Sequence, residues 1–165
     1  MEITSTAEHP SEKCCLDIVG SLIETDNGNK CVLTIQDDLS KYVNAVPIRQ
    51  QDADIVSREL VAQLINRFGI PVAVFTDQGA NFLSEIFKYV CKLLKLKKIQ
   101  IPAFYPESNG ELERSHSVLR ENMTHSTMED QRNWDHCIPT QPLFIILLNM
   151  YPQDTPPRTN FWVQT

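Results

Sequence analysis

Residues 52–79 run DADIVSRELVAQLINRFGIPVAVFTDQG, and a change of hydrophobic period inside this stretch decides the fold. From Asp52 to Phe68 the apolar residues Ile55, Val56, Leu60, Leu64, Ile65 and Phe68 recur at helical spacing, with acids in the first turn and Gly69 and Pro71 after the end. A helix is predicted there. Residues 71–75 then form a short continuous apolar run, the pattern of a strand buried on both faces. Upstream, runs at 14–20, 31–36 and 42–48 have strand character, and Asp26-Asn27-Gly28-Asn29 between the first two is a strong turn signal. These predict an antiparallel meander. Downstream, Ser84 can cap a helix to about Leu94, Lys98-Ile99-Gln100-Ile101 makes a brief strand before Pro102, and a further helix starts near Ser108-Asn109-Gly110 and runs toward Thr127. Strands alternating with helices after a meander predict an α/β fold, a mixed five-stranded sheet flanked by helices.

With 165 residues and 42% hydrophobic composition, the chain has the length and core of one globular domain. Residues 1–12 are polar and aperiodic and read as a linker. The formal charge of −6 argues against a protein whose whole surface embraces nucleic acid, because phosphate binding relies on lysine and arginine. The charge is uneven, however. Lys88, Lys92, Lys95, Lys97 and Lys98 cluster, and the first three follow the spacing of one helix side, as a solvated face or a phosphate-facing one. Cys14, Cys15, Cys31, Cys91 and Cys137 have no Cys-x-x-Cys spacing, and the start shows no charged and apolar leader pattern, which predicts a reduced, intracellular protein. The apolar stretch Leu143 to Leu148 is far too short to cross a bilayer.

Three acids stand in contexts that folding alone does not require: Asp17 in Leu16-Asp17-Ile18-Val19-Gly20, Asp77 in Phe75-Thr76-Asp77-Gln78-Gly79, and Glu113 in Leu112-Glu113-Arg114-Ser115-His116. Strand alternation puts Leu16 and Ile18 on one face and Cys15, Asp17 and Val19 on the other. A charge buried there costs on the order of several kcal/mol unless something positive compensates it. Each acid also has an ordinary explanation. Asp17 can pair with a Lys or Arg, Asp77 suits Asp-x-Gly turn chemistry, and Glu113 suits the first turn of a helix. Glu113, Ser117 and Arg120 line up along that helix, while Leu112, Leu119 and Met123 form a separate apolar stripe. If the three acids converge, they form a cage for divalent metal. Ser115 and His116 are adjacent on one helix and diverge, which removes them as a nucleophile and base pair. His9, His125 and His136 lack zinc-site spacing with the cysteines.

Four ordered segments carry a family resemblance: Leu16 to Gly20, Leu33 to Tyr42, Thr76 to Phe82, and Tyr105-Pro106-Glu107-Ser108-Asn109-Gly110-Glu111-Leu112-Glu113-Arg114-Ser115-His116. Over roughly residues 10–139 the chain resembles the integrase catalytic core of gypsy-type long-terminal-repeat retrotransposons, within the retroviral integrase superfamily. The resemblance implies a ribonuclease H-like fold over 13–139 and matches Asp17, Asp77 and Glu113 to the family's Asp, Asp, Glu triad. It implies DNA integration by metal-dependent polynucleotidyl transfer, with DNA and a homo-oligomer as partners, and a nuclear site where chromosomal DNA is the target. Oxygen ligands suit Mg²⁺ or Mn²⁺, and two such ions about 3.5 to 4 Å apart can stabilise both oxygens of a phosphodiester transfer. Asn81, Asn109 and Gly110 match family positions near the site, and Ser117 and Arg120 share the Glu113 helix line, Arg120 as a phosphate contact. Asn-Gly is equally a cap and loop signal.

The chain departs from the family pattern in places. Tyr105-Pro106 stands where relatives read His-Pro, and Ser21 replaces a proline. Residues 140–165 diverge altogether, with Pro142, Pro152, Pro156 and Pro157 interrupting the last family helix, as a frameshift or altered splice junction would produce. The flanking zinc and DNA-binding modules of such cores are missing, so the expectation is a fragment of a retrotransposon polyprotein. The alternative is a catalytically inactive or domesticated remnant that keeps the fold for nucleic-acid or protein binding.

Overall fold

The computed structural model describes residues 7–100 and 132–138. Its centre is a five-stranded sheet built from β1 (Lys13–Val19), β2 (Cys31–Asp37), β3 (Val43–Ile48), β4 (Ala73–Thr76) and β5 (Lys97–Gln100), in the order β3-β2-β1-β4-β5. The first three strands pair antiparallel, and β4 and β5 add in parallel beside β1. This is the expected mixed sheet. The connection from β1 to β2 turns at Gly28, whose φ of +81° suits a residue without a β-carbon. Pro47 is tolerated in β3 because that strand is an edge.

Between β3 and β4 the chain forms α1 (Ala53–Leu60), a π-helical stretch (Val61–Ile65) and α2 (Asn66–Phe68), ending at Gly69 with φ +91°. Two short elements follow β4: α3 (Ala80–Leu83) and α4 (Glu85–Leu93). The Ser84 hydroxyl caps α4 by accepting from the Phe87 amide at 3.2 Å. The lysine stripe is shorter than its spacing predicts. Helix α4 stops at Leu93, Lys95 adopts φ +54°, and the Leu96 amide returns to the Cys91 carbonyl, so only Lys88 and Lys92 of the proposed stripe lie on the helix.

Alternation along the strands sorts the sheet into two faces. Cys14, Leu16, Leu33, Ile35, Val46, Ile48 and Val74 meet Val56, Leu60, Leu64, Phe82, Phe87 and Cys91 in the main core. Strand β2 is buried along all seven residues, as a strand covered on both faces must be. On the opposite face Val19, Val32, Val43 and Ala45 pack under Trp134 and Ile138, which belong to or follow α5 (Trp134–Cys137). Among the described residues no helix is long and apolar enough to cross a membrane. The helix expected from Ser108 toward Thr127 and the tail at 140–165 lie outside the described residues.

Candidate active site

The register between β1 and β4 brings the first two acids together. Its last paired position is Leu16 with Thr76, and the next residue on each chain is Asp17 and Asp77. Neighbouring strands lie about 4.8 Å apart, so both carboxylates leave adjacent points at the same end of the sheet. That end is the carboxyl end of two parallel strands, where open α/β sheets commonly place ligands.

Asp17 is half-buried in β1, on the face opposite Leu16. Its Oδ1 accepts from the Ile18 amide at 2.7 Å, and the Thr34 hydroxyl donates to its carbonyl at 3.1 Å from the facing position of β2. Asp77 is exposed at the mouth of β4, and its Oδ1 accepts from the Gly79 amide at 2.9 Å. The resulting turn launches α3, whose first bond runs from the Leu83 amide to the Gly79 carbonyl. A β-carbon on Gly79 would lie 2.7 Å from Asn81 Oδ1 and 3.0 Å from Asp77 Oδ1. Asn81 therefore sits against the same turn as Asp77. Glu113, Asn109, Gly110, Ser117 and Arg120 lie outside the described residues.

Two like charges at neighbouring positions of a sheet repel, and such a pair is destabilising on its own. A hard divalent cation would compensate it, and the donors present fit one: carboxylate oxygens, with Asp77 open to solvent. Cys15 shares the Asp17 face, where burial, reinforced by Asp38, pushes its thiol up to about 12.

The sequence counted Lys98 in a cluster of five lysines and also at the start of a brief strand, and the strand is what forms. Lys98 lies half-buried on β5 opposite Val74, with its Nζ donating to the Phe82 carbonyl near the end of α3. What the sequence did not announce is the bond to Phe82, whose carbonyl lies sixteen residues earlier in the chain. Thr76 is also fully buried, with a hydroxyl that has no hydrogen-bond partner among the described residues, a feature nothing in its apolar sequence context announced.

The integrase core domain family matches residues 7–106. The retrovirus-related Pol polyprotein from transposon 412 of Drosophila melanogaster is 33% identical over 135 residues, covering 82% of this chain and 11% of that protein. The chain thus spans about a tenth of the length of the curated relatives it matches. Among solved structures, a chain of the simian T-cell lymphotropic virus intasome in complex with the PP2A regulatory subunit B56 gamma aligns with a TM-score of 0.72 at 18% identity, covering 98% of this chain and 62% of that one. The HTLV-2 integrase catalytic core domain in complex with magnesium, in its trimeric form, aligns with a TM-score of 0.63 at 18% identity, covering 80% of this chain and 82% of that one. These likenesses establish the ribonuclease H-like fold. With its mixed sheet, its acids on adjacent strands and a family match over residues 7–106, this chain belongs to the integrase core domain family of retroviral and retrotransposon Pol proteins.

Proposed function

We propose that the chain is the catalytic core of a retrotransposon integrase, which processes DNA 3′ ends and transfers them to target DNA by metal-dependent polynucleotidyl transfer. The observation that carries this reading is the adjacency of Asp17, within β1, and Asp77, just past the end of β4, in a chain of this family. Asp17, Asp77 and, by family resemblance, Glu113 would hold Mg²⁺ or Mn²⁺, two ions when DNA is bound. Such ions supply electrostatic stabilisation of the attacking and leaving oxygens of an in-line displacement.

The protein's part is to fix its ligands before DNA arrives. Strand pairing and the bond from Thr34 fix the Asp17 backbone, while the Ile18 amide orients its carboxylate. The Gly79 amide does the same for Asp77 from a turn where an added β-carbon would press on the Asp77 and Asn81 side chains. Asn81, beside that turn, is proposed as a contact to the nucleic-acid backbone, with Asn109, Gly110, Ser117 and Arg120 as further DNA contacts. DNA is the partner, a homo-oligomer the working state, and the nucleus the site of action on chromosomal DNA. In support, the structural neighbours are named as an intasome component and a trimeric magnesium-bound core.

A DNA nicking and strand-transfer assay with Mg²⁺ or Mn²⁺ tests this. Wild-type protein is expected to show metal-dependent activity, and Asp77→Asn to reduce it by at least about a hundredfold while melting at a similar temperature. A well-folded wild type that binds DNA without cutting or joining it would replace the enzyme reading with that of a binding remnant.

A further inference from the structure

Lys98 occupies a place where a neutral side chain would be the cheaper choice. Its Nζ lies 5.7 Å from the centroid of the Phe87 ring, itself packed edge to face on Phe82 at 5.4 Å, and both rings are essentially buried. A methionine could follow the same apolar path, so packing alone gives no reason for an ammonium group here. Desolvation lowers the Lys98 pKa, while Cys91 and Asp77 act in the opposite direction.

What the ammonium does is visible in its bond. It donates to the carbonyl of Phe82, near the end of α3, which has no further helical turn to donate an N–H to that group. Helix α3 has four residues, too few to be stable without outside contacts. Its amino end is the Gly79 turn that holds Asp77. From Asp77 Oδ1 to the Gly79 amide, from the Gly79 carbonyl to the Leu83 amide, and from the Phe82 carbonyl to Lys98, hydrogen bonds tie one short segment together. Strand β4 anchors one end of this segment, and Lys98 on the neighbouring β5 anchors the other.

We propose that Lys98 is a positioning residue for the metal site, pinning α3 so that the Asp77 carboxylate keeps the direction required for a divalent cation. This assignment rests on the metal-dependent function proposed above. Outer-shell partners of this kind change metal affinity by about tenfold or more when removed. The loss is expected in metal binding rather than in folding, because Phe82 and Phe87 stay packed without the charge.

The test compares wild type, Lys98→Met and Lys98→Arg by Mn²⁺ titration followed by electron paramagnetic resonance without DNA, and by the Mn²⁺ dependence of nicking. Lys98→Met is expected to weaken Mn²⁺ binding about tenfold and to raise the half-saturating Mn²⁺ concentration by a similar factor, with a rate at saturating metal within about threefold of wild type. Lys98→Arg, which keeps donor and charge, is expected to recover most of the loss. Mn²⁺ binding by folded Lys98→Met equal to wild type would overturn the assignment while leaving the proposed function standing. So would an equal loss in Lys98→Arg. A wild type that binds no Mn²⁺ and cuts no DNA would overturn both. If Lys98→Met does not fold, Lys98→Gln is read by the same criteria.

Discussion

A methyl group on Gly79 would press on Asn81 Oδ1 and Asp77 Oδ1, the ends of two side chains that can each swing aside. The backbone there, unlike Gly28 and Gly69, does not have a positive φ, so alanine meets no conformational penalty and the contact decides the outcome. Relief comes by moving the candidate ligand. Gly79→Ala is therefore expected to cost no more than about 1 kcal/mol of stability, yet to raise the metal concentration needed for half-maximal nicking several-fold. Parallel urea melts and Mn²⁺ titrations separate the two effects, and a large stability loss with unchanged metal demand would refute this account. At this scale the sequence was informative only where chemistry and context disagree. Asp17 and Asp77 stood out because one lies inside an apolar strand and the other just past the end of one, whereas Lys98 was hidden in a cluster with four other lysines, three of which have the spacing of a helix face. Its real role depends on a carbonyl sixteen residues away.

At the level of elements, the long periodic segments were legible and the short ones were not. The helix predicted from Asp52 to Phe68 and the capped helix after Ser84 follow from apolar spacing and from a hydroxyl at the right place. Helix α3 spans only Ala80–Leu83 between a glycine and a serine, too little sequence for any period to show. The π-helical stretch was equally invisible, since Leu60, Leu64 and Ile65 fit an ordinary helix as well. Ser84 joins the two elements that follow β4, because its hydroxyl accepts from the Phe87 amide and donates to the Asn81 carbonyl at 2.8 Å. Ser84→Ala removes both bonds and is expected to cost about 1 kcal/mol, the usual loss of an N-cap. The check is a lower urea midpoint at unchanged slope, since the change weakens a cap without altering the surface exposed on unfolding.

For the whole molecule, the question is where the folding unit ends. The family match stops at residue 106, but the second face of the sheet is closed by residues beyond it. Trp134 is 3% exposed, and its indole N–H donates to the Ile23 carbonyl at 2.6 Å. Asp135 opposes its own burial by accepting from Asn27, Asn29 and Thr25 at 2.8 to 3.0 Å, which holds its carboxyl below the ordinary value and clamps α5 to the β1–β2 connection. No local pattern could announce that clamp, because its partners are more than a hundred residues apart in sequence. Losing a buried tryptophan typically costs about 3–5 kcal/mol, against a total stability of roughly 5–15 kcal/mol for a domain. A polypeptide of residues 7–106 is therefore expected to expose Val19, Val32, Val43 and Ala45 and to behave as a loosely packed state that binds hydrophobic dye. One of residues 7–138 should instead melt cooperatively. Within the longer polypeptide, Trp134→Ala should lower the melting temperature sharply although Trp134 is remote in sequence from Asp17 and Asp77. Cooperative unfolding of the 7–106 polypeptide at the same temperature as the longer one would show that the second face needs no cover, and that α5 contributes nothing to the stability of the core.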